Sequence, residues 1–165
     1  MKLRCVASAC LLTASMASGA ATTTTTLGVH ATLVSGCQVG AAPIAFGTYS
    51  PGAGALASTS LITMSCTTST VFAVGLSAGS TPGASMAQRL LANGSHTLEY
   101  NLYTSSAHTS VWGDGSGSTA VEFGIGNGTG APVTFTLYGQ LPDNATNRVA
   151  ASGGYSDTIL VVISY

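Results

Sequence analysis

Charge is what this sequence has least of. Charged residues make up 5% of its 165 positions, four basic and five acidic. Lys2 and Arg4 sit at the very start, and only Arg89 and Arg148 follow them. Two cations across the rest of the chain cannot build a basic patch that displaces counterions from phosphates, so nucleic acid is excluded as a partner. Anionic membrane surfaces are disfavoured for the same reason. Cysteine is scarce too, with four in all and no C-x-x-C spacing. His30, His96 and His108 stand in no ligand-like arrangement. The sequence therefore offers no metal site and no cofactor site. Helix signals are nearly missing. The one candidate, "ASMAQRLLANG" at 84–94, is expected to be a short turn or a loop crossing the fold. Catalytic signatures are missing as well. His96 or His108 could be grouped with Asp114 or Asp157, but no G-x-S-x-G elbow supports a nucleophile. Glu99 and Glu122 fall at outward positions of alternating segments. The "GIGNGTG" stretch is not G-x-G-x-x-G and follows no βαβ unit. The chain reads as a non-enzyme.

What is present begins with an export signal. Lys2 and Arg4 form a basic n-region, "CVASACLLTASMA" an apolar h-region, and "SGA" a small-residue cleavage site. Residues 1–20 are read as a signal peptide, too short to span a bilayer. Cleavage leaves two arginines against Glu99, Asp114, Glu122, Asp143 and Asp157, a formal charge of −3. Cys5 and Cys10 leave with the signal. Cys37 and Cys66 remain, and one cysteine pair in an exported chain defaults to a disulfide. Closing a loop of about thirty residues is worth about 3–4 kcal/mol in chain-entropy terms.

Strand patterns fill the rest. "STSLITMSCT" (58–67) places Ile62, Met64 and Cys66 on one face. "TVFAVGLSAG" (70–79) aligns Phe72, Val74 and Leu76, and "HTLEYNLYT" (96–104) aligns Leu98, Tyr100 and Leu102. "APVTFTLYGQL" (131–141) aligns Val133, Phe135 and Leu137. "YSDTILVVISY" (155–165) aligns Ile159, Val161, Ile163 and Tyr165. "PIAFGTY" (43–49) is expected as a shorter strand. Clusters such as "SPGAG", "WGDGSGS" and "LPDNATN" punctuate them as turns. Short strands joined by Gly-rich turns predict an all-β chain, an antiparallel β-sandwich of immunoglobulin-like type. Trp112 beside a Gly-rich turn is read as plugging one end of that sandwich, with exposed sugar stacking as the alternative.

Residues 22–37, "TTTTTLGVHATLVSGC", pose a separate problem. Leu27, Val29, Ala31 and Leu33 alternate with Gly28, His30 and Thr32. That is a strand with one apolar face. The run that closes the final strand pattern, "VVISY" at 161–165, carries no protecting charge either, although exposed edges are normally blunted. Two strand-like ends suggest pairing between molecules.

Seven segments carry a family resemblance: "SGCQVG" (35–40), "FGTY" (46–49), "ITMSCT" (62–67), "RLLANGSHTLEYNLYT" (89–104), "VWGDG" (111–115), "LYGQLP" (137–142) and "GGYSDTILVVISY" (153–165). The chain resembles spore coat protein U domain proteins, the subunits of archaic (Csu-type) chaperone–usher pili. The resemblance implies an incomplete immunoglobulin-like sandwich completed by strand donation. It implies a donor segment at 21–34, with Leu27, Val29, Ala31 and Leu33 entering a neighbour, and a sandwich domain at 35–165. Ile159, Val161, Ile163 and Tyr165 would lie on the strand paired first by a periplasmic chaperone and then by the donor. Cys37–Cys66 would match the family's disulfide. Further implied partners are related subunits in a head-to-tail polymer and an outer-membrane usher, with the product an extracellular pilus serving adhesion and biofilm formation. A secreted matrix protein of the same family and a small carbohydrate-binding module are the competing readings.

Overall fold

The computed structural model describes residues 23–165; the signal peptide expected at 1–20 lies outside them. Residues 23–36 form no helix or strand. From there the chain builds β1 (Cys37–Ala41), β2 (Leu56–Cys66), β3 (Val71–Leu76), β4 (Arg89–Asn93), β5 (His96–Tyr103), β6 (Glu122–Ile125), β7 (Val133–Leu141), a short helix α1 (Ala145–Arg148) and β8 (Val161–Ser164). One sheet has the order β1-β2-β7-β5-β4 and the other β6-β3-β8. Every ladder between these strands is antiparallel. The sandwich expected from the strand patterns is the observed fold.

Two-residue alternation fixes which faces meet. Ile62, Met64 and Cys66 of β2, Phe72, Val74 and Leu76 of β3, and Leu98, Tyr100 and Leu102 of β5 are all buried. These are the inward sets that the sequence patterns assign. Leu137 and Leu141 of β7 complete the same core. Trp112 is fully buried, 0% exposed, and its indole N–H donates to the Val74 carbonyl at 2.8 Å. The ring therefore plugs the sandwich and offers no face to a sugar. A buried Trp with its N–H satisfied contributes apolar area without a polar penalty.

Three expectations are corrected. "PIAFGTY" is not a strand. The Ala42 N–H still reaches the Leu61 carbonyl at 3.0 Å, but Pro43 has no N–H to continue the ladder and Gly47 turns the chain with φ +76°. The 84–94 stretch yields the edge strand β4, joined to β5 through a tight turn with Gly94 at φ +59°. "LPDNATN" is not only a turn, since α1 starts there. The Asn144 side chain caps it by accepting the Asn147 N–H at 2.8 Å.

Candidate functional site

Between the two sheets lies an apolar groove of about 860 Å³. Ile62, Leu76, Leu98, Leu137 and Leu141 lie at its base, all core residues. One wall is the ladder-free segment after β1, with Ile44, Phe46, Tyr49 and Pro51. The opposite wall is the C-terminal segment, with Tyr155, Asp157, Ile159 and Val161.

Each wall has a local cause. Ile44 and Phe46 cross directly over Gly139 of β7, where an added Cβ would come within 2.6 Å of the Ile44 Cδ1. Only glycine admits that approach, so Ile44 and Phe46 lie close over the sheet, beyond the segment's hydrogen bonds to β2 at Ala42. Phe46 then meets Tyr100 edge-on, with ring centroids 5.9 Å apart. On the other side the chain changes sheets. Ser156 bridges Ala92 of β4, donating at 3.0 Å and accepting at 2.8 Å. A few residues later Val161–Ser164 pairs with β3 in the other sheet.

That crossing leaves β8 at a sheet edge. It pairs with β3 on one side, and the order β6-β3-β8 ends there. Ile159, Val161 and Ile163 pack against the core, and the first two line the groove. Leu160 and Val162 face out. Tyr165 shares the parity of the inward set but lies beyond β8 and is 63% exposed. An edge strand with free N–H and C=O groups beside an open apolar slot can take one more strand, which would satisfy its backbone and fill the slot together.

At the other end, Leu27, Val29 and Leu33 are 88%, 84% and 86% exposed, and Ala31 is exposed as well. Cys37 and Cys66 are bonded to each other, joining directly opposed residues of β1 and β2. The segment thus ends three residues before a covalent anchor.

Among the described residues, both arginines are engaged by other groups of the fold. Arg89 is fully buried and donates to the Ser77 carbonyl (2.8 and 3.0 Å), the Asn101 Oδ1 (2.6 Å) and the Trp112 carbonyl (2.7 Å). Burial lowers its pKa. Arg148 pairs with Asp143 at 2.9 Å. Sequence reasoning missed Asn147, whose buried side chain binds α1 to β5 by accepting the Glu99 N–H at 2.7 Å and donating to its carbonyl at 2.9 Å. It also missed the roles of Asp143 and Asp157 at the groove. Apart from Arg148, five positions after Asp143, their partners are too far away in the chain for any local motif to mark them.

The Spore Coat Protein U domain model matches residues 23–162. The chain belongs to this domain family. The match covers the exposed N-terminal segment as well as the sandwich. Among solved structures, the fold is similar to a chain of the CsuC–CsuE chaperone–tip adhesion subunit pre-assembly complex from archaic chaperone-usher Csu pili of Acinetobacter baumannii. The TM-score is 0.60 at 18% identity, over 81% of this chain and 41% of that one. This domain-family protein therefore spans less than half of that structure's chain. A comparison with curated proteins finds no match.

Proposed function

We propose that this protein is an exported structural subunit of an archaic chaperone–usher pilus and polymerises by donor-strand exchange. One observation carries the reading: β8 is a free sheet edge beside an apolar groove of about 860 Å³. Residues 21–34 are the donor, with Leu27, Val29, Ala31 and Leu33 facing into the groove of the next subunit. Val161 and Ile163 lie on the accepting strand, with Ile159 and Tyr165 flanking it; a periplasmic chaperone covers this strand before an outer-membrane usher hands it to the next subunit. The family match and the similar fold of a chaperone–subunit complex support those partners. The mature product is extracellular, on the cell surface, and serves attachment and biofilm formation. Its chemistry is β-augmentation plus one disulfide, with no bond-making step.

The magnitudes agree with this assignment. Burying Leu27, Val29 and Leu33 is worth about 1.5–3 kcal/mol each, roughly 5–9 kcal/mol together. That rivals the whole net stability of a domain, about 5–15 kcal/mol. Each donor serves the next molecule, so the contact is head-to-tail and non-closing, and it generates a fibre.

Deleting residues 21–34 tests the proposal. Fibres should vanish while the subunit remains recoverable in complex with its chaperone. Fibres that persist without the segment defeat the proposal, as does a mature wild-type chain that stays monomeric and never forms fibres after release from its chaperone.

A further inference from the structure

The groove presents a physical difficulty. An empty apolar slot gains free energy by closing, and at their middles neither wall is held by a sheet ladder. Residues 42–55 form no strand, and neither do residues 157–160. Backbone N–H groups in such segments need acceptors from elsewhere.

In the first wall the acceptor is a carboxylate reaching in from β7's end; the second wall supplies a carboxylate of its own, while its Leu160 N–H goes to the Ser77 hydroxyl at 2.9 Å. Asp143 follows the end of β7, and its side chain is 6% exposed. It accepts from the Tyr49 hydroxyl at 2.6 Å, the Gly52 N–H at 3.1 Å and the Gly54 N–H at 3.0 Å. Arg148 grips it through two nitrogens at 2.9 and 3.0 Å. The loop that carries Tyr49 and Pro51 is thereby tied to the end of the central ladder. Asp157 stands where the C-terminal segment changes sheets. It accepts from the Ser80 N–H (2.9 Å) and hydroxyl (3.0 Å), the Thr81 N–H and hydroxyl (both 3.2 Å), and the Tyr100 hydroxyl (2.7 Å). Gly79, at φ +102°, brings the 79–81 turn so close that any Cβ there would collide with that carboxylate. A carboxylate is acceptor-only with two oxygens, which suits it to gathering several donors from a segment that has no ladder.

We propose that Asp143 and Asp157 are positioning residues that brace the two walls apart, so that the groove stands open before a strand arrives. The inference rests on the strand-accepting reading and adds what makes the groove receptive. Pre-organisation of this kind removes an ordering and reopening cost from association. The charged and titratable groups facing Asp143 are Tyr49 and Arg148; those facing Asp157 are Tyr100 and, through space, Arg89. The Arg148 ion pair, then Tyr49 and the backbone N–H groups, hold Asp143 well below the usual carboxylate range. Burial pulls Asp157 upward, but hydrogen bonds from Tyr100, Ser80 and Thr158 outweigh it, and the net direction is down. Both folded pKa values are depressed. The bracing is therefore fully present above the ordinary carboxylate pKa of about 4 and is lost as pH falls through the lower folded values.

The test follows a fluorescent synthetic peptide of residues 22–34 binding to the mature chain by anisotropy, well below the melting temperature. Wild type, Asp143→Asn, Asp157→Asn, Tyr49→Phe and Tyr100→Phe are compared. The two Asn variants should associate about tenfold more slowly at pH 7, and the Phe variants about two- to threefold. Wild-type association should be flat from pH 7 down to about 4 and fall only as pH drops further, through the depressed folded values, with the Asp143→Asn/Asp157→Asn double variant losing that fall. A wild-type chain that ignores the peptide overturns the strand-accepting reading itself. Wild-type binding with unchanged rates in the variants overturns the bracing alone. If the Asn variants do not fold, the Phe variants decide, and wild-type rates in both reject the bracing.

Discussion

The two ends of this chain carry the same kind of pattern and meet different fates. Leu27, Val29, Ala31 and Leu33 alternate as regularly as Ile159, Val161, Ile163 and Tyr165. Near the C-terminus, Val161–Ser164 is laddered to β3, with Ile159, Val161 and Ile163 turned to the core. Near the N-terminus, residues 23–36 form no strand, and their large apolar side chains are exposed. Alternation reports that a segment has one face to bury; it does not report whose core will bury it. An isolated strand has no stability of its own, so its partner decides. The C-terminal pattern already has β3 beside it and still leaves an edge open. Under the proposed donor-strand exchange, the N-terminal pattern would fill the vacancy that this edge presents in another copy.

The sharpest way to break the comparison is to make one substitution at both ends. Ile163→Asp puts a charge into the half-buried inward face of β8 and should cost about 4 kcal/mol. Leu27→Asp should leave the denaturation midpoint of the monomeric fraction unchanged while abolishing fibres under the electron microscope. Equal losses of stability from both variants would mean that the N-terminal segment packs within its own molecule, and the asymmetry between the ends would disappear.

A second effect, of intermediate size, concerns the junction between the exposed segment and the sandwich. Cys37 opens β1 and is bonded to Cys66, its opposite residue at the end of β2. Replacing both cysteines by serine frees a loop spanning 29 positions. The loss should be about 3–4 kcal/mol, or roughly 10 °C in Tm. Thermal melts with and without reductant check it. Wild type in reductant should reproduce the double variant, and an unchanged Tm would remove the disulfide from the stability of this end.

Much of the sandwich was legible because its central strands bury one face each. In β2, β3, β5 and β7 a run of three apolar side chains at alternate positions, such as Ile62, Met64 and Cys66 or Leu98, Tyr100 and Leu102, lies inward. The strands that escaped notice lack that contrast. Four of the five residues of the edge strand β1 are exposed, so no alternation marks it. In β6 an inward position is Gly124, because the Phe72 ring lies where its side chain would be. The four residues of α1 are too few for a helical period, and only the Asn144 cap announces them. The groove was legible only at its C-terminal wall, where Ile159 and Val161 alternate. Its other wall looked like a strand, because "PIAFGTY" carries the right residue types and the proline's missing N–H acts only at the ladder. The two bracing carboxylates depend on pairs such as Tyr49 with Asp143 and Ser80 with Asp157, separated by 94 and 77 positions. Proximity of that kind belongs to the fold and leaves no local trace.

The smallest expected effect probes the parity on which the comparison depends. Leu160 lies between Ile159 and Val161 yet points away from the groove and is 65% exposed. Leu160→Ser removes a large apolar side chain from the accepting end but touches neither the core nor the slot. Its cost should stay within about 0.5 kcal/mol, and fibres should form as in wild type. The adjacent inward residues, by contrast, are expected to be intolerant, because side chains on one strand alternate strictly between faces. A loss above about 1.5 kcal/mol at Leu160 would mean that β8 sits one residue out of register with β3, since a single-residue slip exchanges the two faces. Ile159 and Val161 would then face solvent, and the C-terminal end would have no apolar wall to offer an incoming strand.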